Sequence, residues 1–231
     1  MKQKAFKAAF PQTIPIFTGF CFLGAAYGIY ARSAGLDYWY PILTSVVVYG
    51  GSLEFLAVEM LSAPFAPLQS FFMALLIQAR HIFYGISMLD KFSGTGAKKS
   101  YLIFAMCDET FSVNYSTEVP EGVDKGWFMF FVTLLDQLYW IGGAALGSLA
   151  GSVLPFDTTG ISFVMTAMFT VIFTEQWLKE SKHSSSLIGL ICTVCCRLIF
   201  GAESFILPAM AAITASLLIM RKTIEPKETE K

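Results

Sequence analysis

The chain has 231 residues, of which 55% are hydrophobic and 14% charged, with a formal net charge of −1 and a mean hydropathy of +0.60. A soluble domain is nearer a quarter charged, and a chain this apolar could not cover itself with polar surface, whereas lipid-facing helices need none. The scattered, balanced charge offers a nucleic acid nothing to bind, and the length suits a single membrane domain over 1–231 without an appended soluble module.

Lys2, Lys4 and Lys7 precede an apolar stretch at 14–31 that carries Gly19, Gly24 and Gly28. It is long for a signal-peptide core and more hydrophobic segments follow, so it reads as an uncleaved first span. Residues 38–61 read as the second span, Pro64 and Pro67 mark a turn, and 68–89 read as the third, with Lys91, Lys98 and Lys99 in the loop after it. The run at 101–115 is short and holds Asp108 and Glu109 in its middle. An acidic loop (Glu118, Glu121, Asp124) leads to apolar runs at 128–150 and 161–178, then to a polar hairpin with Lys179, Lys182 and His183. The last run, 187–220, holds 34 residues. As one helix it would be about 51 Å long against a hydrocarbon core of about 30 Å, so it is expected to divide where Gly201 and Pro208 bracket Glu203. Residues 221–231 read as a solvated tail. The expected fold is an all-α, polytopic integral membrane helical bundle of six to eight crossings.

Cys21, Cys107, Cys192, Cys195 and Cys196 all sit in apolar runs and lack the paired spacing of a zinc site, so they read as buried free thiols. Nothing in the sequence asks for a metal or another cofactor. Lysines before the first span, and Arg221 and Lys222 after the last, put the N-terminus in the cytoplasm. Three simple crossings would then leave the basic 91–99 loop outside, which the same rule disfavours. Either one early segment is re-entrant, or the rule is overridden.

The spacing also suggests an internal repeat. Glu54 and Glu59 are matched by Glu175 and Glu180, 121 positions later, and Arg80 within Arg-His-Ile-Phe by Arg197 within Arg-Leu-Ile-Phe. Glycine-rich spans open both units (Gly19, Gly24, Gly28; Gly142, Gly143, Gly147), and Leu36-Asp37 matches Phe156-Asp157. Units of about 14–115 and 128–220 follow. Duplicated halves with interrupted segments in matching places belong to transporters, with the solute site at mid-membrane between them.

An ionisable side chain at bilayer depth costs several kcal/mol unless it faces a cavity or a partner, so each one is a functional candidate. Arg80 and His81 lie centrally in the third run and Arg197 centrally in the last. Asp108 and Glu109 interrupt the short one, while Glu54, Glu175, Glu203 and Asp136 lie within or at the ends of spans. The plain alternative is an ion pair that only closes the bundle, Arg80 with Asp108 for instance. Glu59 and Glu180 read as interfacial, His183 as solvated, and Tyr38, Trp39, Tyr40 and Trp127 as interfacial anchors. Gly50-Gly51-Ser52 reads as a place of close helix packing.

The residues resemble the AzlC-type branched-chain amino acid exporters over about 15–220. Tyr49-Gly50-Gly51-Ser52-Leu53-Glu54 is similar to that family's Ala-Gly-Ser-x-Gln stretch, Gln78-Ala79-Arg80-His81 to its Asn-x-Arg-His, and Cys107-Asp108-Glu109 to its Thr-Asp-Glu. Glu54, Gln78 and Cys107 depart from it, and Gly160 to Phe173 lacks its Asp-Phe. The resemblance implies about seven spans, a bacterial inner-membrane location, export of valine, leucine, isoleucine or other apolar amino acids on the proton gradient, and a small AzlD-like membrane subunit as partner. A zwitterionic solute needs a cation for its carboxylate, which Arg80 or Arg197 could supply, and an anion for its ammonium, from Asp108, Glu109 or Glu54. His81 or a buried carboxylate such as Glu109 could carry the coupled proton. Two rival classes are an intramembrane enzyme, which would want a metal-binding histidine cluster, and a passive subunit of an ATP-driven permease, whose Walker motif would lie on another polypeptide.

Overall fold

A computed structural model describes residues 2–153, 163, 166–167, 170, 173–174, 177–178 and 183–224, and no strand occurs among them. Glu175, Glu180, Phe156, Asp157, Lys179 and Lys182, most of the run expected at 161–178 and the tail 225–231 lie outside the described residues. The chain forms two compact units, Met1–Met165 and Thr166–Lys231.

Two parallel helices make the frame of the first unit. α1 (Lys2–Ser33) has 32 residues, so the lysines expected ahead of the first span lie within its helix. Its partner, α8 (Lys125–Val153), runs in the same direction. Phe6 packs edge-on against Phe131 near one end, Phe20 against Trp140 midway, and Arg32 reaches Gly151 at the other end. Gly24 and Gly28 face Gly143 and Gly147, one small residue every fourth position on each helix. A methyl at Gly147 would stand 2.0 Å from the Ala25 carbonyl oxygen, and one at Gly28 2.3 Å from that of Ala144. The two backbones are therefore in contact, the arrangement that small residues permit between helices in lipid.

The elements between the frame helices are short because the chain breaks at mid-depth. α2 (Trp39–Val47) and α3 (Ser52–Ser62) occupy the expected second span but do not cross together. Ser148 bonds the Tyr38 carbonyl at the outset of α2, and Gln137 bonds the Val46 carbonyl at its end, so α2 descends from the far end of α8 to its middle. The chain then turns at Tyr49 (φ 45) and Gly51 (φ 52). α3 climbs back: Glu54 meets Trp140, Phe55 meets Tyr27, and Glu59 meets Tyr30 near the end of α1. Residues 39–62 are thus a re-entrant hairpin. This corrects the simple second crossing and the reading of Gly51 as a packing glycine, because the positive φ at Tyr49 and Gly51 stops the helix, whereas Gly50 does stand in a close approach, to Gln78.

α4 (Pro67–Ile77) and α5 (Arg80–Ser87) together make the return passage, interrupted at Gln78 and Ala79, where the His81 and Ile82 N–H groups bond carbonyls only three residues back. Past α5, Met88 and Phe92 join Ala9, Phe128 and Met129 in a core cluster at the end that carries Lys2. From there α6 (Lys98–Phe104) rises, with Tyr101 bonding Gln137, and α7 (Asp108–Ser116) descends, with Thr110 beside Asp136 and Asn114 beside Thr133. This is a second re-entrant hairpin, entering from the opposite end to the first. Asp108 and Glu109 accordingly open a helix instead of sitting in the middle of one. Lys91 donates to the Asn114 and Tyr115 carbonyls and so caps the last turn of α7.

Lys2 and Lys98 both lie over the Trp127 ring, at 4.4 and 4.6 Å. The N-terminus and the basic loop are therefore at the same end of the unit, and the charge conflict is resolved by re-entry of 39–62. Trp127 at this end, and Trp39 stacked on Tyr40 at the other, occupy the positions of interfacial anchors.

In the second unit, α9 (Ser184–Ser204) and α10 (Ile206–Ile224) divide the long apolar run as expected, Gly201 (φ 78, ψ 175) leaving helical geometry shortly before the division. Arg221 and Lys222, expected in a tail, belong to α10. His183 stacks on Trp177 at 4.1 Å instead of standing free in solvent. The cysteines are free, and Cys195 is exposed while Cys196 is buried, so the thiols are not uniformly interior. Among the described residues, three helices are long and apolar enough to cross a membrane: Lys2–Ser33, Lys125–Ser152 and Ser184–Gly201. Exposed Phe22, Phe71, Ile82, Phe83, Leu146 and Leu198 are a burden in water and ordinary in lipid.

Candidate functional site

Three helices of the first unit begin at mid-depth, and their first residues are joined. Arg80, opening α5, places Nη1 3.2 Å from Oδ2 of Asp108, opening α7, and its Nη2 donates to Oγ of Ser52, opening α3, at 3.2 Å. The Arg80 and Asp108 side chains are 31% and 23% exposed, so the ion pair is partly covered by protein without being sealed. Backbone at such breaks is tolerated at membrane depth where it lines a cavity or is buried in protein. The expected pair of Arg80 with Asp108 is thus present, on two different helix breaks.

Polar atoms remain to spare around it. Arg80 Nε, Gln78 Oε1, His81 Nδ1 and Asp108 Oδ1 are buried and have no hydrogen-bond partner among the described residues. Gln78 also lies against the first hairpin: a methyl on Gly50 would stand 2.7 Å from its Nε2. Glu109 is partly buried next to Cys107, and Tyr84, stacked on Phe111 at 4.4 Å, closes the side of the site towards the lysine end.

Glu54 stands apart in kind. It is 0% exposed, and both oxygens have donors: Ser45 Oγ at 2.9 Å on Oε1, with the Gly51 N–H at 3.1 Å and the Trp140 indole at 2.8 Å on Oε2. A carboxylate at the start of a helix, held by neutral donors and the helix dipole, fixes the turn ahead of it. Arg197 belongs to the second unit, where it is exposed and its guanidinium lies 5.5 Å from the centre of the Phe205 ring.

Several contributors gave no signal in sequence. Trp140 is one indole among many aromatics, and Gln137 bridges Tyr101 of the second hairpin to the Val46 carbonyl of the first. The two hairpin tips touch through Tyr49 Oη and Cys107 Sγ at 3.7 Å. Tyr49 is the only non-glycine residue with positive φ among those described, a conformation costing roughly 1–2 kcal/mol. Its buried ring and this contact hold it there. No group of three or more metal-ligating side chains occurs among the described residues.

The family model described as AzlC protein matches residues 15–154, a stretch that contains every element from the body of α1 to the end of α8. The branched-chain amino acid transport protein AzlC of Bacillus subtilis is 56% identical over 224 residues, covering 97% of this chain and 88% of that protein. An uncharacterized membrane protein of Haemophilus influenzae is 47% identical over 225 residues, covering 97% and 92%. The inner membrane protein YgaZ of Escherichia coli is 21% identical over 193 residues, covering 79% and 78%. No solved structure matches.

Proposed function

The chain belongs to the AzlC family, and we propose that it is the large subunit of a carrier that exports branched-chain or other apolar amino acids across a bacterial inner membrane. The observation that carries this reading is the Arg80–Asp108 pair at the meeting of three helix starts. An amino acid brings its own cation and anion. Its carboxylate takes the place of Asp108 on the Arg80 fork, its ammonium takes Asp108, and no net charge is buried in the exchange. Valine, leucine and isoleucine need little beyond apolar surface for their side chains. Arg197 is the candidate counterpart of Arg80 in the second half of an internal repeat, in a bundle of about seven spans.

His81 and Glu109 flank the exchanging pair and are the groups given to proton movement between the site and water. Glu54 belongs to the support of the pathway through its grip on the first hairpin. With Lys2, Lys91 and Lys98 at one end of the first unit, that end is assigned to the cytoplasm. A small AzlD-like subunit is the expected partner.

The test is counterflow of labelled valine, leucine, isoleucine and methionine in proteoliposomes, with and without such a subunit. Exchange that requires Arg80 is expected. Its absence for all four solutes under both conditions would overturn the reading.

A further inference from the structure

Asp136 is unused by the exchange just described, yet it is 0% exposed in the middle of α8. Its Oδ2 accepts from Thr110 Oγ1 at 2.9 Å, and its Oδ1 has no partner among the described residues. Thr110 Oγ1 lies 3.0 Å from Cys107 Sγ, which lies 3.7 Å from Tyr49 Oη. Since the threonine hydroxyl donates to Asp136, the consistent orientation runs from the tyrosine hydroxyl to the thiol, from the thiol to the threonine oxygen, and on to the carboxyl. This unbroken line joins the tips of both hairpins to the frame, and Cys107 is the residue next to Asp108.

Among the described residues, the groups facing Asp136 supply no cation. From the α6–α7 hairpin these are Tyr101, Cys107 and Glu109, and from the first hairpin Tyr49. On the α1 side the Cys21 thiol points at the Tyr139 carbonyl. A carboxylate sealed here with one donor would be costly, whereas a neutral carboxyl costs much less.

On the carrier reading above, we infer that Asp136 is the resting place of the coupled proton, loaded and emptied through Thr110 and Cys107, beside which Glu109 passes the proton to and from the solute site. The proton is bound as a carboxyl O–H and leaves by the reverse transfer, so no other reactant is needed. The link to the solute is mechanical. An ammonium arriving at Asp108 moves the start of α7, and Cys107 and Thr110 move with it, so the line to Asp136 opens or closes as the site fills.

The experiment compares wild type with Asp136→Asn, Asp136→Glu and Thr110→Val in proteoliposomes, reading counterflow of labelled leucine and, separately, uphill accumulation driven by an imposed pH gradient. Wild-type counterflow judges the carrier reading by itself, and if it fails the inference falls with it. Asp136→Asn should keep counterflow within about threefold of wild type and lose gradient-driven accumulation, with Asp136→Glu restoring part of it and Thr110→Val slowing it. Asp136→Asn that still accumulates leucine on a pH gradient would overturn the inference. So would loss of counterflow in both Asp136 variants, which would make the residue structural or a solute ligand.

Discussion

The two re-entrant hairpins place acidic residues at equivalent points, in the first turn of the helix that follows the tip, and use them in opposite ways. In the first, Glu54 is fully enclosed and each oxygen is met by a neutral donor. In the second, Asp108 is partly exposed, faces a cation on a third helix and keeps one oxygen unpartnered. A carboxylate whose acceptor capacity is filled from within its own support can only hold a shape, whereas one paired to a cation with capacity left over can change partners. The difference lies in the donors that surround the two groups, and it can be broken or sharpened by substitution.

The largest effect is expected where the second hairpin meets its cation. Arg80→Ala should abolish counterflow, a drop of at least a hundredfold, while the protein still inserts and purifies as a single species. Arg80→Lys should recover little, because an ammonium cannot present the paired N–H fork to a carboxylate. Next comes Asp108→Asn, expected to raise the apparent KM for leucine about tenfold or more with little change in melting temperature in detergent. Glu54→Gln should do the reverse: a melting temperature lower by several degrees, from the loss of roughly 1.5–3 kcal/mol of charge-assisted bonding, and an unchanged KM in the surviving protein. A raised KM in Glu54→Gln, or a fall in stability matching it in Asp108→Asn, would erase the distinction. The smallest effect belongs to Trp140→Phe. It leaves the Gly51 N–H on Glu54 Oε2 and should cost roughly 1–2 kcal/mol in the same thermal assay, again without a change in KM.

Membrane residence, the division of the last apolar run and the pairing of Arg80 with Asp108 were all legible in the sequence, because charge at bilayer depth and excess helix length are absolute costs. The adjacent Asp108-Glu109 pair also signalled a broken segment, since neighbouring side chains on a helix diverge by about 100°. Re-entry of some early segment was legible as one of two ways to reconcile the basic 91–99 loop with the N-terminal lysines, but not which segment turns back. Residues 38–61 are long and apolar enough for a span, and only the contacts of Val46 and Glu54 with α8 show that the chain turns back. The break at Gln78 and Ala79 contains neither glycine nor proline and so leaves no local mark. The glycines at 24, 28, 143 and 147 were noticed as a rhythm, but that they face one another across a helix pair is a tertiary fact.

The dependence of both hairpins on α8 sets an order on biogenesis. The first hairpin leaves the ribosome well before residues 125–153, yet the groups that cover its tip, Gln137 and Trp140, belong to that later helix. Uncovered turns do not reside in hydrocarbon, because each unmet N–H or carbonyl there costs several kcal/mol. Until α8 is present to pack against α1 along their facing glycines, hydrocarbon disfavours the first hairpin in its folded position. Assembly of this unit is retroactive, with the last helix made drawing the earlier ones into place.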